Sequence, residues 1–266
     1  MSPLHLIRVT VDLGALGKWA AERDYGWTVQ RSREGRPRDT QFDEGRALHH
    51  LVSETFGKGE LQPFRLMPAP GGVRGHLYAY SAESAKALVE TARACALPEV
   101  LDVVDLEGLS GKPMPETWAE GRRLGFEARV RPTRRLMKPL PRTDGKAFAA
   151  GAELDAFLVE ALRRFPDERD PDGNMTAAGR KREAVYTEWL GERLGAAAAI
   201  ETAELAQFLR VKAARKDRSA EGPDAVLRGT LIVGDPSAFQ ERLQKGIGRH
   251  TAYGYGMLLL RPPGRG

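Results

Sequence analysis

The hydrophobic period of this chain switches between that of a strand and that of a helix in the same order twice, which sharply narrows the folds open to it. Residues 3–13 alternate, so that Ile7, Val9, Val11 and Leu13 share one face, as a half-buried strand requires. Residues 30–40 are polar, contain Gly and Pro, and read as a loop. A helix is expected over Phe42–Phe56, with Leu48, Leu51, Val52 and Phe56 at helical spacing. Strands over Phe64–Met67 and Val73–Tyr80 follow, separated by a Pro-Ala-Pro-Gly-Gly turn. A helix opens after Ser81, with Glu83 and Ser84 in its first turn, and Arg122–Arg131 alternates as a strand.

The second half repeats the plan. After a polar linker at 165–179 comes a helix over Arg180–Leu194, turning Val185, Trp189, Leu190 and Leu194 inward. Leu205–Val211 and Val226–Val233 read as strands joined by a basic segment, followed by a helix over Pro236–Lys245 and a closing strand over Tyr255–Leu260. Each half therefore runs strand, helix, strand, strand, helix, strand. That order predicts an α+β protein of two tandem ferredoxin-like (βαββαβ) domains, residues 1–118 and 119–266.

At 266 residues and 41% hydrophobic, the chain can bury one large core or two modest ones. One cysteine rules out an internal disulfide and a cysteine-rich zinc site. Cys95 shares a helical run with Ala87, Leu88 and Ala92 and is expected to be a buried, inert thiol. The first residues alternate as a strand rather than forming a signal peptide, and no apolar run is long enough to span a bilayer. A soluble, cytoplasmic protein without a membrane partner is expected. The net charge of +5 favours a polyanionic partner.

The segment Lys245–Gly256 (KGIGRHTAYGYG) is the most specific in the chain. Its glycines, Gly246 and Gly248 among them, permit positive φ and close backbone approach. Lys245, Arg249 and His250 add positive charge, while Tyr253 and Tyr255 offer rings for stacking on bases. It is not a phosphate-binding P-loop, because it leads from a helix into a strand, and the helix dipole there opposes an anion. A tight turn feeding an edge strand is the structural alternative.

The pattern GIG-x-x-x-x-(Y/F)-G-x-G-x-L-x-L over residues 246–260 resembles the glycine-rich loop of CRISPR repeat-processing endoribonucleases, in particular the CasE branch of the Cascade systems. The resemblance implies tandem ferredoxin-like domains of the RAMP type and an enzyme that cuts precursor CRISPR RNA beside a repeat hairpin. It further implies a metal-free reaction without a cofactor, and a place beside other Cascade subunits. Residues 46–56 (RALHHLVSETF) are similar to the family's first-helix pattern Y-x-L-H-x-x-L-x-x-x-F, which puts the catalytic histidine at His49. At about 100° per residue, His49 lies at the border of the stripe formed by Leu48, Leu51, Val52 and Phe56, whereas His50 points away from it. A border histidine also suits a purely structural role.

Metal-free cleavage uses the RNA's own 2′-OH against the adjacent phosphate, which requires a group titrating near neutrality and a nearby cation. Arg46 stands where the family often has tyrosine; it can clamp a phosphate but cannot exchange protons. His5 and His76 fall in strands, and His250 is a second candidate. No histidine spacing indicates a metal site. Arg129, Arg131, Pro132 and Arg134 match the family's R-x-N-P-x-K segment, with Arg131 in place of asparagine. With Arg135 and Lys138 they form one basic tract; Lys212, Arg215 and Lys216 belong to another. Such tracts suit the backbone of an A-form hairpin, although any one cation also fits a solvated face. Two other readings stay open: a CRISPR subunit that holds guide RNA without cutting it, and an unrelated RNA-binding protein of the same fold.

Overall fold

The computed structural model describes residues 3–31, 37–69, 71–166, 168–215 and 218–263, with 27–31, 37–41, 212–215 and 218–221 described in backbone only. Contacts divide the chain into two units. One gathers Met1–Trp118, Ala213–Ser219 and Gln240–Met257; the other gathers Ala119–Lys212, Ala220–Phe239 and Leu258–Gly266.

In the first unit, β1 (His5–Asp12) buries Ile7, Val9 and Val11, the alternation the sequence carries. Leu13 does not continue it. The Asp12 carboxylate accepts a hydrogen bond from Ala15 N at 2.8 Å and starts α1 (Leu13–Glu22), which buries Leu16, Trp19 and Ala20. The polar stretch expected as a loop is an antiparallel hairpin of β2 (Trp27–Arg31) and β3 (Pro37–Phe42), with Trp27 opposite Phe42. The two strands satisfy each other's backbone groups, which the polar composition of residues 30–40 does not announce.

Next come α2 (Glu44–Phe56), β4 (Phe64–Pro68), β5 (Arg74–Ser81), α3 (Ala85–Cys95), α4 (Pro98–Leu101) and β6 (Val104–Pro113). The sheet order is β4-β5-β1-β6. Its core joins Ile7, Val9, Leu48, Leu51, Phe56 and Leu77, among others. Cys95 is exposed, not buried: α3 ends at that residue, and 97–99 beyond it are exposed as well.

The second unit begins with β7 (Arg123–Val130). Two short pairs follow: β8 (Thr133–Arg135) with β11 (Glu153–Asp155), and β9 (Leu140–Pro141) with β10 (Ala147–Phe148). Then come α5 (Ala156–Arg164), α6 (Pro171–Ala177) and α7 (Arg182–Leu194). The tract expected as a linker holds α6, because Asp170 caps Gly173 N, Pro171 fits the first turn and Met175 is fully buried. On α7, Val185, Trp189, Leu190 and Leu194 are buried as their spacing predicts. The strands β12 (Ala198–Arg215) and β13 (Arg218–Val233) run longer than expected and take up most of the basic segment assigned as their connection. α8 (Pro236–Lys245) and β14 (Leu258–Arg261) complete the chain; β14 starts three residues later than expected, because Gly254 and Gly256 adopt positive φ.

This sheet has the order β12-β13-β7-β14. In both sheets the first and third main strands are central, and the second and fourth lie at the edges. Both units are thus ferredoxin-like, and the tandem α+β architecture expected from the element order holds.

Candidate active site

The site grows from α2. Its N-terminus is capped by Asp43, whose carboxylate accepts from Arg46 N at 3.0 Å. Ala47, Leu48, Leu51, Val52 and Phe56 bury one face, which leaves His49 and His50 half-buried at the edge of that stripe.

The glycine-rich segment is grouped with this same unit and packs its one-turn Thr251–Tyr253 helix on α2. The Tyr253 ring lies 5.1 Å from the His49 ring, and the His250 ring 6.4 Å from Tyr253. Gln62 Nε2 donates to Thr251 Oγ1 at 2.8 Å, across 189 positions of sequence. Gly45 allows the approach: a Cβ there would stand 2.6 Å from the Tyr253 carbonyl oxygen. Gly256, at φ +77°, is equally constrained, since its Cβ would meet the Ile247 oxygen at 2.3 Å, and Ile247 N donates to Gly256 O at 2.8 Å. His250 takes the left-handed conformation at φ +66°, and its carbonyl accepts from Tyr253 N.

Burial lowers the His49 pKa from its ordinary value; a hydrogen bond with the Ala252 backbone works against this, and the Lys58 charge adds to it. His49 is therefore largely neutral at pH 7, as a proton acceptor must be. The neighbouring His50 stacks on Tyr25 with centroids 3.9 Å apart and planes 7° from parallel. Burial chiefly lowers the His50 pKa, the charges of His49 and Arg46 lower it further, and Glu54 opposes them. Glu54 also raises the Tyr25 pKa, by its charge and by a hydrogen bond. Arg46 thus acts on the His50 side of the helix, while Lys58 acts on His49.

Of the sequence candidates, the fold brings His49, His250 and Tyr253 together. Gly246 sits where a Cβ would meet Thr251 and Pro63, Gly248 has φ +77°, Arg249 is exposed, and Lys245 pairs with Glu241 at 2.6 Å. The basic tract of the second unit is partly engaged within the protein. Arg129 pairs with Asp224, Arg131 is buried, and Arg134 pairs with Glu192 at 2.7 Å; Arg135 and Lys138 are exposed. The side chains of Lys212 and Arg215, and all of Lys216, lie outside the described residues.

Sequence reasoning missed Lys58 and Tyr25. Neither falls in a motif, because each reaches the histidines through a turn, at Gly57 or at Gly26, rather than through helical spacing. Among the described residues, no three His, Cys, Asp or Glu side chains converge as metal ligands, and no helix is long and apolar enough to cross a membrane.

A family model described as CRISPR associated protein matches residues 4–262. No curated protein sequence matches the chain. Among solved structures, a CRISPR endoribonuclease Cse3 bound to a 19-nucleotide RNA superposes with a TM-score of 0.60 at 16% identity, covering 98% of this chain and 100% of that one. Thermus thermophilus Cse3, bound to an RNA representing a pre-cleavage complex, gives 0.57 at 17% identity, with the same coverage. Cas6e from Escherichia coli K-12 gives 0.58 at 16% identity, covering 97% and 99%. At these identities the likeness is one of fold.

Proposed function

The chain belongs to the CRISPR-associated protein family, and we propose that it is a CasE-type endoribonuclease that cuts precursor CRISPR RNA beside the repeat hairpin. The observation that carries this is the pairing of His49 with the Thr251–Tyr253 turn: a half-buried, neutral imidazole beside a glycine-rich backbone and an exposed tyrosine ring. The reaction is metal-independent. His49 takes the proton of the 2′-OH, whose oxygen attacks the adjacent phosphorus, and the 5′ oxygen leaves. The products are a 2′,3′-cyclic phosphate and a 5′-OH.

Lys58, whose charge already acts on His49, offers itself to the phosphate as negative charge grows there. Arg46 supplies a second cation on the His50 side. Tyr253, 39% exposed, gives a base a ring to stack on. The exposed Arg135, Lys138 and Arg249 take phosphates of the hairpin, which stays bound as the enzyme's place in a Cascade-type complex. The RNA-bound state of the Cse3 structures supports this reading by analogy of fold.

The test is cleavage of a labelled repeat in EDTA by wild type and by His49→Ala, with analysis of the product ends. Cutting by wild type alone, leaving a cyclic phosphate, is the expected result. Binding without cutting by the wild type assigns the protein instead to holding guide RNA.

A further inference from the structure

We infer that His49 and His50 divide the two proton transfers of the cleavage step, His49 accepting the proton of the attacking 2′-OH and His50 giving one to the departing 5′ oxygen. This rests on the endoribonuclease reading above. In an in-line displacement the entering and leaving oxygens stand on opposite sides of the phosphorus, so one imidazole cannot serve both at once. The ring centroids of His49 and His50 are 5.4 Å apart and their planes are inclined by 60°, a spacing that lets two ring nitrogens flank a single phosphate.

Consecutive helical residues ordinarily diverge by about 100°. Here His50 is held in place by a stack built on the neighbouring element. Its face lies on Tyr25, Tyr25 packs on Trp19 at 5.5 Å, and Arg23 covers Trp19 at 5.3 Å. Tyr25 is itself anchored by its backbone N–H, which donates to Ala20 O at 2.8 Å.

Burial lowers the pKa of both rings, but the charged neighbours of the two differ. The Lys58 charge acts on His49 and favours the neutral acceptor. On His50, burial, His49 and Arg46 together lower the pKa, and Glu54, one turn along α2, opposes them, so Glu54 is the group that can supply the imidazolium with a counter-charge. Glu54 is, among the described residues, the one carboxylate acting on either ring, and the Tyr25 phenol to which it is hydrogen-bonded lies in the stack that holds His50. In the step, the O2′–P bond forms as P–O5′ breaks. The 2′ proton ends on His49 and the His50 proton on O5′, and exchange with water resets the pair.

The test compares single-turnover cleavage of two repeat RNAs, one with the natural 5′ oxygen at the scissile bond and one with sulfur in its place, which departs as a thiolate without a proton. His50→Ala, and His50→Phe, which keeps a ring on Tyr25, are each expected to slow the oxygen substrate by about 10²–10⁴-fold while leaving the sulfur substrate within about tenfold of wild type. His49→Ala slows both. Equal slowing of both substrates by the His50 variants, unslowed cutting of the oxygen substrate by His50→Phe, or rescue by sulfur of His49→Ala instead would each overturn the division. A wild type that cuts neither RNA overturns the endoribonuclease reading, and the division with it.

Discussion

The two units fill the same topological slot in different ways. Between the first and second main strands, the first unit places α1 and α2, and the second places α5, α6 and α7. On α7, Arg182 is almost closed in. It pairs with Asp155 at 2.6 Å, donates to Tyr186 Oη at 2.9 Å, and lies 4.1 Å and 4.5 Å over the rings of Phe157 and Phe208. The Tyr186 phenol, buried and donating to Asp155, is held far above its ordinary pKa. On α2, by contrast, the imidazoles are half-buried, and among the described residues no carboxylate acts on His49. The lesson is physical: a polar group whose partners are all supplied holds the fold together, and one whose partners are left short is available for chemistry.

Breaking each side of this comparison gives different losses. His49→Ala should lower the single-turnover cleavage rate by about 10²–10⁴-fold, while the melting transition moves little and hairpin affinity, read by filter binding, is kept. Asp155→Ala leaves Arg182 with the longer pair to Asp172 at 3.5 Å and removes the acceptor of Tyr186, and should cost about 3 kcal/mol of stability in denaturant titration, with cleavage per folded molecule unchanged. Equal loss of activity in both variants would erase the distinction between the two helices. Gly45→Ala sharpens it: alanine is the better helix former, yet here, in the first turn of α2, its Cβ meets the Tyr253 carbonyl, so stability should fall by about 1–3 kcal/mol. The smallest effect belongs to Lys58→Gln. A nearby cation lowers the His49 pKa, so its removal should move the rising limb of the pH–rate profile to higher pH, by less than about one unit.

The sequence announced those parts of the molecule whose burial is periodic. The faces of β1, α2 and α7 follow from spacing alone, and so does His49 at the border of its stripe. It misled at the β2–β3 hairpin, where residues 30–40 read as polar loop, over the full lengths of β12 and β13, and where a capped first turn with one anchor makes a helix, as Met175 does in α6. Cys95 had the right spacing but stands at a helix end, where periodicity no longer reports cover. Within the site, glycines of the 245–256 segment were legible because glycine most readily takes the positive φ found at Gly246, Gly248, Gly254 and Gly256, whereas His250 takes it at φ +66° without any such signal. Tyr25 and Lys58 were not, since their approach to the histidines is set by turns, and no local pattern encodes that.

The pairing of α2 with the Thr251–Tyr253 turn also has a meaning in time. The ribosome emits His49 early and its partner turn about 200 residues later, an interval of about 10–40 s at ordinary rates of synthesis. Throughout that interval the imidazole lacks the backbone and ring that frame it. The imidazole therefore emerges unframed, and its surroundings are complete only once the Thr251–Tyr253 turn has been made.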